Sequence, residues 1–365
     1  MAGYQDEIKR LEEEISKTKY NKRTQSHVGL VKAKLAKLRE KDEARRSGGK
    51  KGDGYTVRRS GDATVVLLGF PSVGKSTLLN ALTNKESAVG AYAFTTVSVI
   101  PGMLEYNHSK IQILDVPGIL QGASDGSGRG KEVLSVIRGA DMVLMVVDIT
   151  HPEHLDTLKD EIYKTNVRVN QHKPDVRIRK TAKNGIRVGR TVRTEQLDDE
   201  TISAVLKEFK INNAEVLIRE PIDVDQLIDV VEANKVYMPC VVALNKGDLV
   251  SYEKAQDVKH ETRADVIISA EKRTGTEDLK RVIFEKLEFI RVYLKEPRKE
   301  PDLEEPLIMR RGCTLRTVCE RLHKDFVSKF KFVRIWGPSS KFPGQKLLSL
   351  DHKIMDEDVL EIHVR

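Results

Sequence analysis

A glycine-rich stretch, GFPSVGKST (69–77), has the residue types and spacing of a phosphate-binding loop. It follows an apolar run and precedes a helical pattern, which is the context this motif requires. Backbone N–H groups of residues 71–76 and the start of the following helix can surround phosphate. We expect Lys75 to reach the β- and γ-phosphates and the Ser76 hydroxyl to ligate Mg²⁺. The predicted phosphate-binding residues are Gly69, Pro71, Ser72, Val73, Gly74, Lys75, Ser76 and Thr77.

A second motif, NKGD (245–248), indicates which base is bound. The carboxylate of Asp248 can accept hydrogen bonds from N1–H and the exocyclic amine of guanine, whereas adenine offers no such donor pair. A mismatch of this kind discriminates by roughly 10⁴-fold or more. We expect Asn245 to brace the loop and contact the base, Lys246 to lie along the purine, and the Ala270 N–H to reach guanine O6. The predicted guanine site comprises Asn245, Lys246, Asp248, Ser269 and Ala270, and its ligands are GTP and GDP.

Two segments between these motifs predict the metal site and the γ-phosphate contacts. AYAFTTVSVIPG (91–102) contains threonines that can ligate Mg²⁺, with Thr96 favoured and Thr95 as the alternative. Asp115 is predicted to hold Mg²⁺ through water, and the Gly118 N–H to meet the γ-phosphate. The predicted catalytic residues are therefore Lys75, Thr96 and Gly118.

Ile119 occupies the position where many GTP-hydrolysing enzymes have a glutamine that orients the attacking water. Because isoleucine cannot orient water, we predict slow intrinsic turnover. A monovalent cation such as K⁺, backbone groups of residues 118–130, or a partner could compensate. Gln121 and Arg129 are candidates within the chain, although ordinary exposed loop residues are the simpler interpretation.

Continuous apolar runs predict the buried strands that position these motifs: 63–70, 111–116, 142–149, 239–245 and 265–270. Helical segments separate them, which favours an α/β fold with a parallel sheet and helices on both faces. We assign this domain to 60–160 and 237–295.

Residues 161–236 interrupt that alternation and predict an inserted α/β domain. In DVRIRKTAKNGIRVGRTVR, arginines alternate with apolar residues on both sides of an Asn-Gly turn, which predicts a β-hairpin with a basic face. The RNA-binding candidates on that face are Arg177, Arg179, Arg187 and Arg190. A helix (199–210), a strand (213–219) and a second helix (223–233) are predicted to follow.

The two ends of the chain predict further modules. Residues 1–46 indicate a basic helical hairpin, with apolar seams that pack on this chain or on a partner. A helix is predicted over 276–294, followed by a Pro-rich hinge. Residues 305–365 then read as a compact ubiquitin-like module.

Charge and composition restrict the class of protein. Residues 1–60 hold 17 Lys/Arg against 9 Asp/Glu, and residues 168–193 hold 9 against 1, so basic patches lie on an otherwise acidic body. This pattern favours a polyanionic partner, RNA in particular. No apolar run of about 18 residues and no secretory signal occurs, so we expect a cytoplasmic protein without a membrane partner. The three cysteines show no metal-ligand spacing.

The motif set resembles the Obg-type GTPases and, among them, the developmentally regulated GTP-binding proteins (the DRG family). The resemblance rests on GFPSVGKST, the AFTT switch, DVPG before a hydrophobic residue, and GASDGSGRGK, and it extends over essentially the whole chain. It implies a P-loop GTPase domain with an inserted α/β domain, an N-terminal helical region and a C-terminal TGS module. It also implies a cytosolic GTPase that associates with ribosomes or rRNA in translation, often with a small protein partner.

Two residues depart from the family pattern. Ser72 stands where many of these GTPases have an asparagine that ligates potassium, so the family's potassium stimulation is an open question for this chain. Gly247 replaces the usual aliphatic residue of the NKxD motif, which we expect to loosen the packing without loss of guanine selectivity.

Three functional hypotheses follow. The first is a slow GTPase acting on ribosomes, and the second is a GTP-controlled protein-binding scaffold in which hydrolysis is incidental. The third is an RNA-processing enzyme with a second active site. The inserted and terminal domains offer no nucleophile–base or metal-ligand pattern for the third, and we interpret His151, His154 and His172 as structural.

Overall fold

The computed structural model describes residues 4–19, 21, 24–46, 60–83, 100–116, 136–192 and 197–365. The helices are α1 (Tyr4–Lys17), α2 (Gln25–Arg46), α3 (Lys75–Leu82), α4 (His154–Lys164), α5 (Asp199–Glu208), α6 (Val224–Glu232), α7 (Tyr252–Thr262), α8 (Thr276–Lys286) and α9 (Leu315–Leu322). The strands are β1 (Ala63–Leu68), β2 (Ile100–Tyr106), β3 (Ser109–Asp115), β4 (Met142–Asp148), β5 (Val167–Val169), β6 (Val176–Lys180), β7 (Ile186–Arg190), β8 (Ala214–Ile218), β9 (Val236–Met238), β10 (Cys240–Asn245), β11 (Val266–Ile267), β12 (Phe289–Leu294), β13 (Asp302–Arg310), β14 (Phe330–Trp336), β15 (Gln345–Leu347) and β16 (Asp358–Val364).

The chain divides into two compact units. One comprises Met1–Gly54 and Asn166–Tyr237, and the other comprises Tyr55–Thr165 and Met238–Arg365. Within the described ranges, no helix combines the length and the apolar character needed to cross a lipid bilayer.

The second unit contains a six-stranded sheet in the order β11-β10-β4-β1-β3-β2. β2 runs antiparallel to β3, whereas the other neighbours are parallel. β1, β4 and β10 are buried along their whole length, as expected for strands covered on both faces. The carboxyl ends of the parallel strands β1, β3, β4 and β10 therefore meet at one edge of the sheet.

In the first unit, α2 packs against the core of the inserted domain. Its contact face is made of small residues: Gly29 lies so close to Thr201 that an added Cβ would be 2.8 Å from Thr201 Cγ2. Ala33 is fully buried in the same core, and Lys32 pairs with Asp225 at 2.6 Å. Val28, Val31 and Leu35 are buried too, so the apolar seam of α2 packs on this chain, and Gly29 and Ala33 allow the close approach.

The predicted β-hairpin of the inserted domain is wrong. β8 lies between β6 and β7, antiparallel to β6 and parallel to β7. Asn213, just before β8, holds both ends of the connecting loop: its backbone oxygen accepts from Thr181 N–H and its side-chain oxygen accepts from Gly185 N–H. The predicted apolar strand 213–219, observed as β8, therefore lies at the centre of this sheet. It separates β6 and β7, which the sequence pattern predicted to pair directly with each other.

The C-terminal module begins earlier than predicted. α8 ends at Lys286, and Glu288 has a left-handed backbone with φ 54°. Residues 289–294 then form β12, which pairs with β13 and β16 in a sheet of order β13-β12-β16-β14-β15. The predicted helix 276–294 is therefore confirmed as far as Lys286 and wrong beyond it, because alternating residues of FIRVYL enter the core of the module as a strand.

Candidate nucleotide site

The phosphate-binding loop lies between β1 and α3, at the carboxyl edge of the six-stranded sheet. Two of its residues have left-handed backbones, Ser72 (φ 63°) and Gly74 (φ 90°). A Cβ on Gly74 would lie 2.5 Å from the Asn245 side-chain nitrogen, so only glycine fits there. Lys75 Nζ donates to the carbonyls of Gly69 and Phe70, each at 2.9 Å, and thus lies across the loop. Burial lowers the Lys75 pKa, and the nearby Asp115 carboxylate partly opposes that effect.

Ser76 and Asp115 form the part of the predicted metal site that the structure describes. The Ser76 hydroxyl donates to Asp115 Oδ2 at 2.9 Å. Asp115 is 3% exposed, and its Oδ1 is buried without a hydrogen-bond partner among the described residues. A buried, unsatisfied carboxylate oxygen beside a hydroxyl fits a hard cation such as Mg²⁺.

Asn245 connects the two ends of the site. Its side-chain nitrogen donates to the Val73 carbonyl at 2.7 Å, and its side-chain oxygen accepts from the Ala270 N–H at 2.9 Å. Asn245 is 2% exposed, so both bonds are shielded from water. The Ala270 N–H that we had expected to face guanine O6 is therefore bound to Asn245 in this structure, because the 269–270 turn packs directly against β10.

Asp248, at the end of the NKGD motif, is half-buried. A hydrogen bond from Ser269 and contact with Lys272, whose Nζ is 3.3 Å from Asp248 Oδ2, keep the Asp248 pKa below its usual value. The carboxylate is consequently ionised and able to accept from two N–H donors. Ser269 thus contacts the residue that we predict to read the base, and Lys272 is a neighbour that the motif alone did not identify.

Asp148 is another residue that sequence reasoning missed. It ends β4 beside Asn245 in the parallel register, and its Oδ2 accepts from Lys246 Nζ at 2.7 Å. Its Oδ1 accepts from the backbone and hydroxyl of Thr150 at 2.9 and 2.6 Å. Burial raises the Asp148 pKa, but the bonds from Lys246 and Thr150 outweigh that and lower it overall. The signal available in the sequence was an aspartate at the carboxyl end of a buried parallel strand.

Gly247 does not loosen the guanine motif. A Cβ at this position would lie 2.6 Å from Ile267 Cγ2 and 3.3 Å from the Ile268 carbonyl oxygen. The Gly247 N–H donates to that same oxygen at 2.9 Å. The glycine therefore permits a closer contact between the two guanine-site loops, and the expectation of looser packing is wrong.

Each of the three histidines singled out in the sequence contacts a neighbouring side chain. His154 stacks on Phe70 of the phosphate-binding loop with 4.1 Å between ring centroids, while His151 and His172 pair with Glu153 and Glu220. Over the part of the chain that the structure describes, no group of three His, Cys, Asp or Glu side chains is placed to hold a metal ion.

Several predicted residues lie outside the described ranges. They include the metal-ligand candidates Thr95 and Thr96, and also Gly118, Ile119, Gln121 and Arg129.

The inserted domain carries the predicted basic face on its three-stranded sheet. Arg177, Arg179 and Arg187 are exposed, and the register places Arg179 and Arg187 on either side of Glu215. Arg190 does not belong to this face, because strand side chains alternate and position 190 shares the side of Ile186 and Val188. Arg190 pairs with Asp199 at 2.5 Å and donates to the Leu197 carbonyl, so its predicted place on the basic face is wrong.

Family models match three consecutive parts of the chain. Residues 64–180 match a "50S ribosome-binding GTPase" domain, residues 183–289 match the C-terminal region of that MMR_HSR1 domain, and residues 290–364 match a TGS domain. The TGS match begins at residue 290, inside β12, which is the first strand of the five-stranded sheet along the chain. The predicted fold class, a P-loop GTPase domain with a C-terminal TGS module and a helical N-terminus, is confirmed.

Curated relatives align along the full length. An "uncharacterized GTP-binding protein" of Methanocaldococcus jannaschii is 51% identical over 367 residues, which cover 100% of this chain and 93% of that protein. Developmentally-regulated GTP-binding protein 2 of Homo sapiens is 40% identical over 362 residues, 99% of each chain. Developmentally-regulated GTP-binding protein 1 of Xenopus laevis is 39% identical over 366 residues.

Proposed function

The chain belongs to the DRG family of GTP-binding proteins, and on that premise we propose that it is a Mg²⁺-dependent, slow GTPase of the cytoplasm that binds ribosomes or RNA and acts in translation. The observation that carries the proposal is the Asn245 link, which ties the phosphate-binding loop to the guanine-reading loops. Because a nucleotide contacts both loops, the Asn245 link fixes the distance between the loops before the nucleotide binds.

The residues of the site have separable roles in this proposal. Asp248 reads the guanine edge, and Lys75 holds the phosphates and stabilises the charge that develops during transfer. Ser76 and Asp115 would hold Mg²⁺, which supplies further charge neutralisation when bound. Ile119 cannot orient water, so the intrinsic rate is low and another group must complete the site.

The ribosome or RNA is the proposed polyanionic partner, and Arg177, Arg179 and Arg187 are the proposed contacts. These three side chains share one exposed sheet face, and neighbouring Lys180 and Lys183 are exposed as well. Contacts of this kind are made to phosphates, so they predict a strong dependence of affinity on salt and little sequence selectivity. The ribosome-binding description of the matched GTPase family agrees with this partner.

A GTP-controlled scaffold is the alternative function. Ile119 favours the scaffold, because an isoleucine stands where the water-orienting glutamine is usual. The N-terminal helix α1 favours it too: Ile8, Leu11 and Ile15 lie on one side, and α1 contains no fully buried residue. Such a helix could take a small protein partner.

Measurements of GTP turnover in KCl and in NaCl, each with and without salt-washed ribosomes, test the proposal. Acceleration by ribosomes supports the ribosome-associated GTPase, and acceleration by potassium alone assigns the missing charge to a cation beside Ser72. Turnover unchanged by either addition, together with GTP-dependent partner binding, would instead establish the scaffold.

Two variants make that measurement specific to the site. Lys75→Ala should lower turnover by about 10²- to 10³-fold, the effect of removing one transition-state donor. Asp248→Asn should weaken binding of GTP and GDP and leave the already weak binding of ATP unchanged. Equal affinity of the wild-type protein for ATP and GTP would contradict the guanine assignment.

A further inference from the structure

Glu215 lies in the middle of the basic face of the inserted domain. The strand register places it directly between Arg179 on β6 and Arg187 on β7. Its side chain is exposed, and in the described part of the chain it forms no ion pair or hydrogen bond. A carboxylate at this position repels phosphate and so opposes the contacts that the arginines favour. Its place on the face points to a second kind of contact, one that needs an acceptor.

A cavity opens beside Glu215 at one end of the three-stranded sheet. Its volume is about 120 Å³, and its lining comprises residues 181–185, Arg187, Ala214 and Glu215. Pockets that enclose drug-sized ligands have volumes of about 300–1,000 Å³. This cavity is therefore suited to one planar ring rather than to a whole nucleotide.

Hydrogen bonds around Asn213 hold the loop that lines the cavity in one shape. The Asn213 side-chain oxygen accepts from the Gly185 N–H at 2.9 Å, and its backbone oxygen accepts from the Thr181 N–H at 3.1 Å. The Ala214 N–H donates to the Gly185 carbonyl at 3.1 Å. Asn184 and Gly185 both have left-handed backbones, with φ 84° and 68°. A loop that is shaped before binding loses little conformational entropy when a ligand enters.

The polar groups around the cavity match an unpaired base that carries an exocyclic amine. Glu215 can accept from such an amine, as carboxylates accept from N4 of cytosine. Uracil presents a carbonyl oxygen at the equivalent position, which a carboxylate repels. Arg187 is exposed and offers a guanidinium plane on which a base can stack, and exposed Lys183 offers an ammonium group for the phosphate.

We propose that this cavity binds one unpaired, amine-bearing base of single-stranded RNA. Glu215 accepts from the amine, Arg187 stacks on the base, and Lys183 pairs with its phosphate. The inference rests on the proposed function, because it adds a base-reading cavity to the proposed RNA-binding face. The arginines hold phosphates irrespective of sequence, whereas Glu215 creates a preference at one position. RNA is favoured over a free nucleotide because Arg177 and Arg179 continue the positive face beyond the cavity.

Fluorescence anisotropy of labelled short oligonucleotides, measured with the full-length protein in GDP and Mg²⁺, tests the proposal. Oligocytidine should bind about tenfold more tightly than oligouridine, because the two pyrimidines differ mainly at the exocyclic amine. Equal affinities, or tighter binding of oligouridine, would overturn the proposal. Displacement of labelled oligocytidine by CMP as efficiently as by unlabelled oligocytidine would also overturn it, since the cavity would then belong to free mononucleotides.

Glu215→Gln keeps the size of the side chain and removes its charge. The amide can accept from the amine of cytosine and can donate to the carbonyl of uracil, so the two oligomers should bind with nearly equal affinity. If the carboxylate acted only by repelling phosphate, the variant would bind both oligomers more tightly by a common factor. The preference for oligocytidine would then persist, and that result would contradict the role of Glu215.

The matched control is Glu200→Gln. Glu200 is exposed in the first turn of α5, and the buried residues of that helix pack on the apolar face of the same sheet. The substitution removes an equal charge from the inserted domain outside the cavity, so the preference for oligocytidine should stay at about tenfold. An equal loss of preference in both variants would overturn the assignment to the cavity.

The outcome is separable from that of the proposed function. Stimulation of GTP turnover by ribosomes, together with equal binding of the two oligomers, would refute this inference alone. A preference for oligocytidine without any ribosome effect would refute the ribosome-associated function and support the base-reading cavity.

Discussion

The nucleotide site and the basic sheet of the inserted domain are built on opposite physical principles. In the nucleotide site, buried Asn245 makes two directed bonds that join separate loops, and glycines at 74 and 247 leave no room for a side chain. On the basic sheet, Arg177, Arg179 and Arg187 are exposed on β6 and β7, the two strands that flank β8. Binding at the nucleotide site depends on the relative positions of its buried groups, whereas binding on the basic sheet depends on its total positive charge.

This difference determines how each region should respond to mutation. A buried bond that is removed leaves its partner unsatisfied, so single changes in the nucleotide site have large and non-additive effects. Exposed charges that act through counterion release contribute in small and nearly equal increments.

The largest effect is expected from Asn245→Ala. It leaves the Val73 carbonyl and the Ala270 N–H without their side-chain partner, at about 1–3 kcal/mol for each group. We expect guanine-nucleotide affinity to fall about 100-fold, as measured by titration calorimetry. Asn245→Asp keeps the acceptor for the Ala270 N–H but loses the donor to the Val73 carbonyl. Its nucleotide affinity should lie between that of the wild type and that of Asn245→Ala. An affinity loss below about threefold for Asn245→Ala would show that the link is not essential.

A smaller effect is expected from Gly247→Ala. The added methyl group must displace Ile267 or the Ile268 backbone, at about 1–3 kcal/mol of strain. GDP affinity should fall about tenfold, and the urea midpoint of unfolding should decrease. Gly139→Ala is the matched control: nothing lies within 4 Å of the position its Cβ would take. That substitution should be neutral or slightly stabilising, and equal effects of the two would refute the close-packing argument.

On the basic sheet we expect additive losses. Alanine at Arg177, Arg179 or Arg187 should each reduce the salt slope of RNA binding by about 1, with little dependence on RNA sequence. The triple variant should show the sum of the single effects. Arg190→Ala should leave RNA affinity unchanged, because that side chain is bound to Asp199 on the other side of the sheet. An Arg190 effect as large as the others would contradict the strand alternation.

The smallest effect concerns pH. The folded-state pKa of Asp148 is lowered, so its stabilisation is complete above the ordinary carboxyl pKa and is lost as pH falls through the folded value. Asp148→Asn should therefore lower the free energy of unfolding near neutral pH, by at most about 1 kcal/mol. The difference from the wild type should vanish in acid. A difference that persists at acidic pH would exclude ionisation of Asp148 as its cause.

The nucleotide-binding motifs and the buried strands were predictable because both depend on local spacing. GFPSVGKST and NKGD each place their functional atoms within a single turn, so the residues can be identified without knowing what surrounds them. The register of the inserted sheet was not predictable in this way. Two alternating strands joined by Asn-Gly satisfy a hairpin locally, and the insertion of β8 between them depends on a segment more than twenty residues away.

The sequence by itself determined the guanine-nucleotide chemistry, the α/β class and the presence of a C-terminal module, because these follow from contiguous residues and their period. The tertiary structure decided which side chains act together. It placed Asp148 against Lys246, assigned the Ala270 N–H to Asn245, and turned Arg190 away from the basic face. The physical reason is that hydrogen bonds, close packing and strand pairing act over a few ångströms in space. Only the fold brings residues that are distant in sequence within that range.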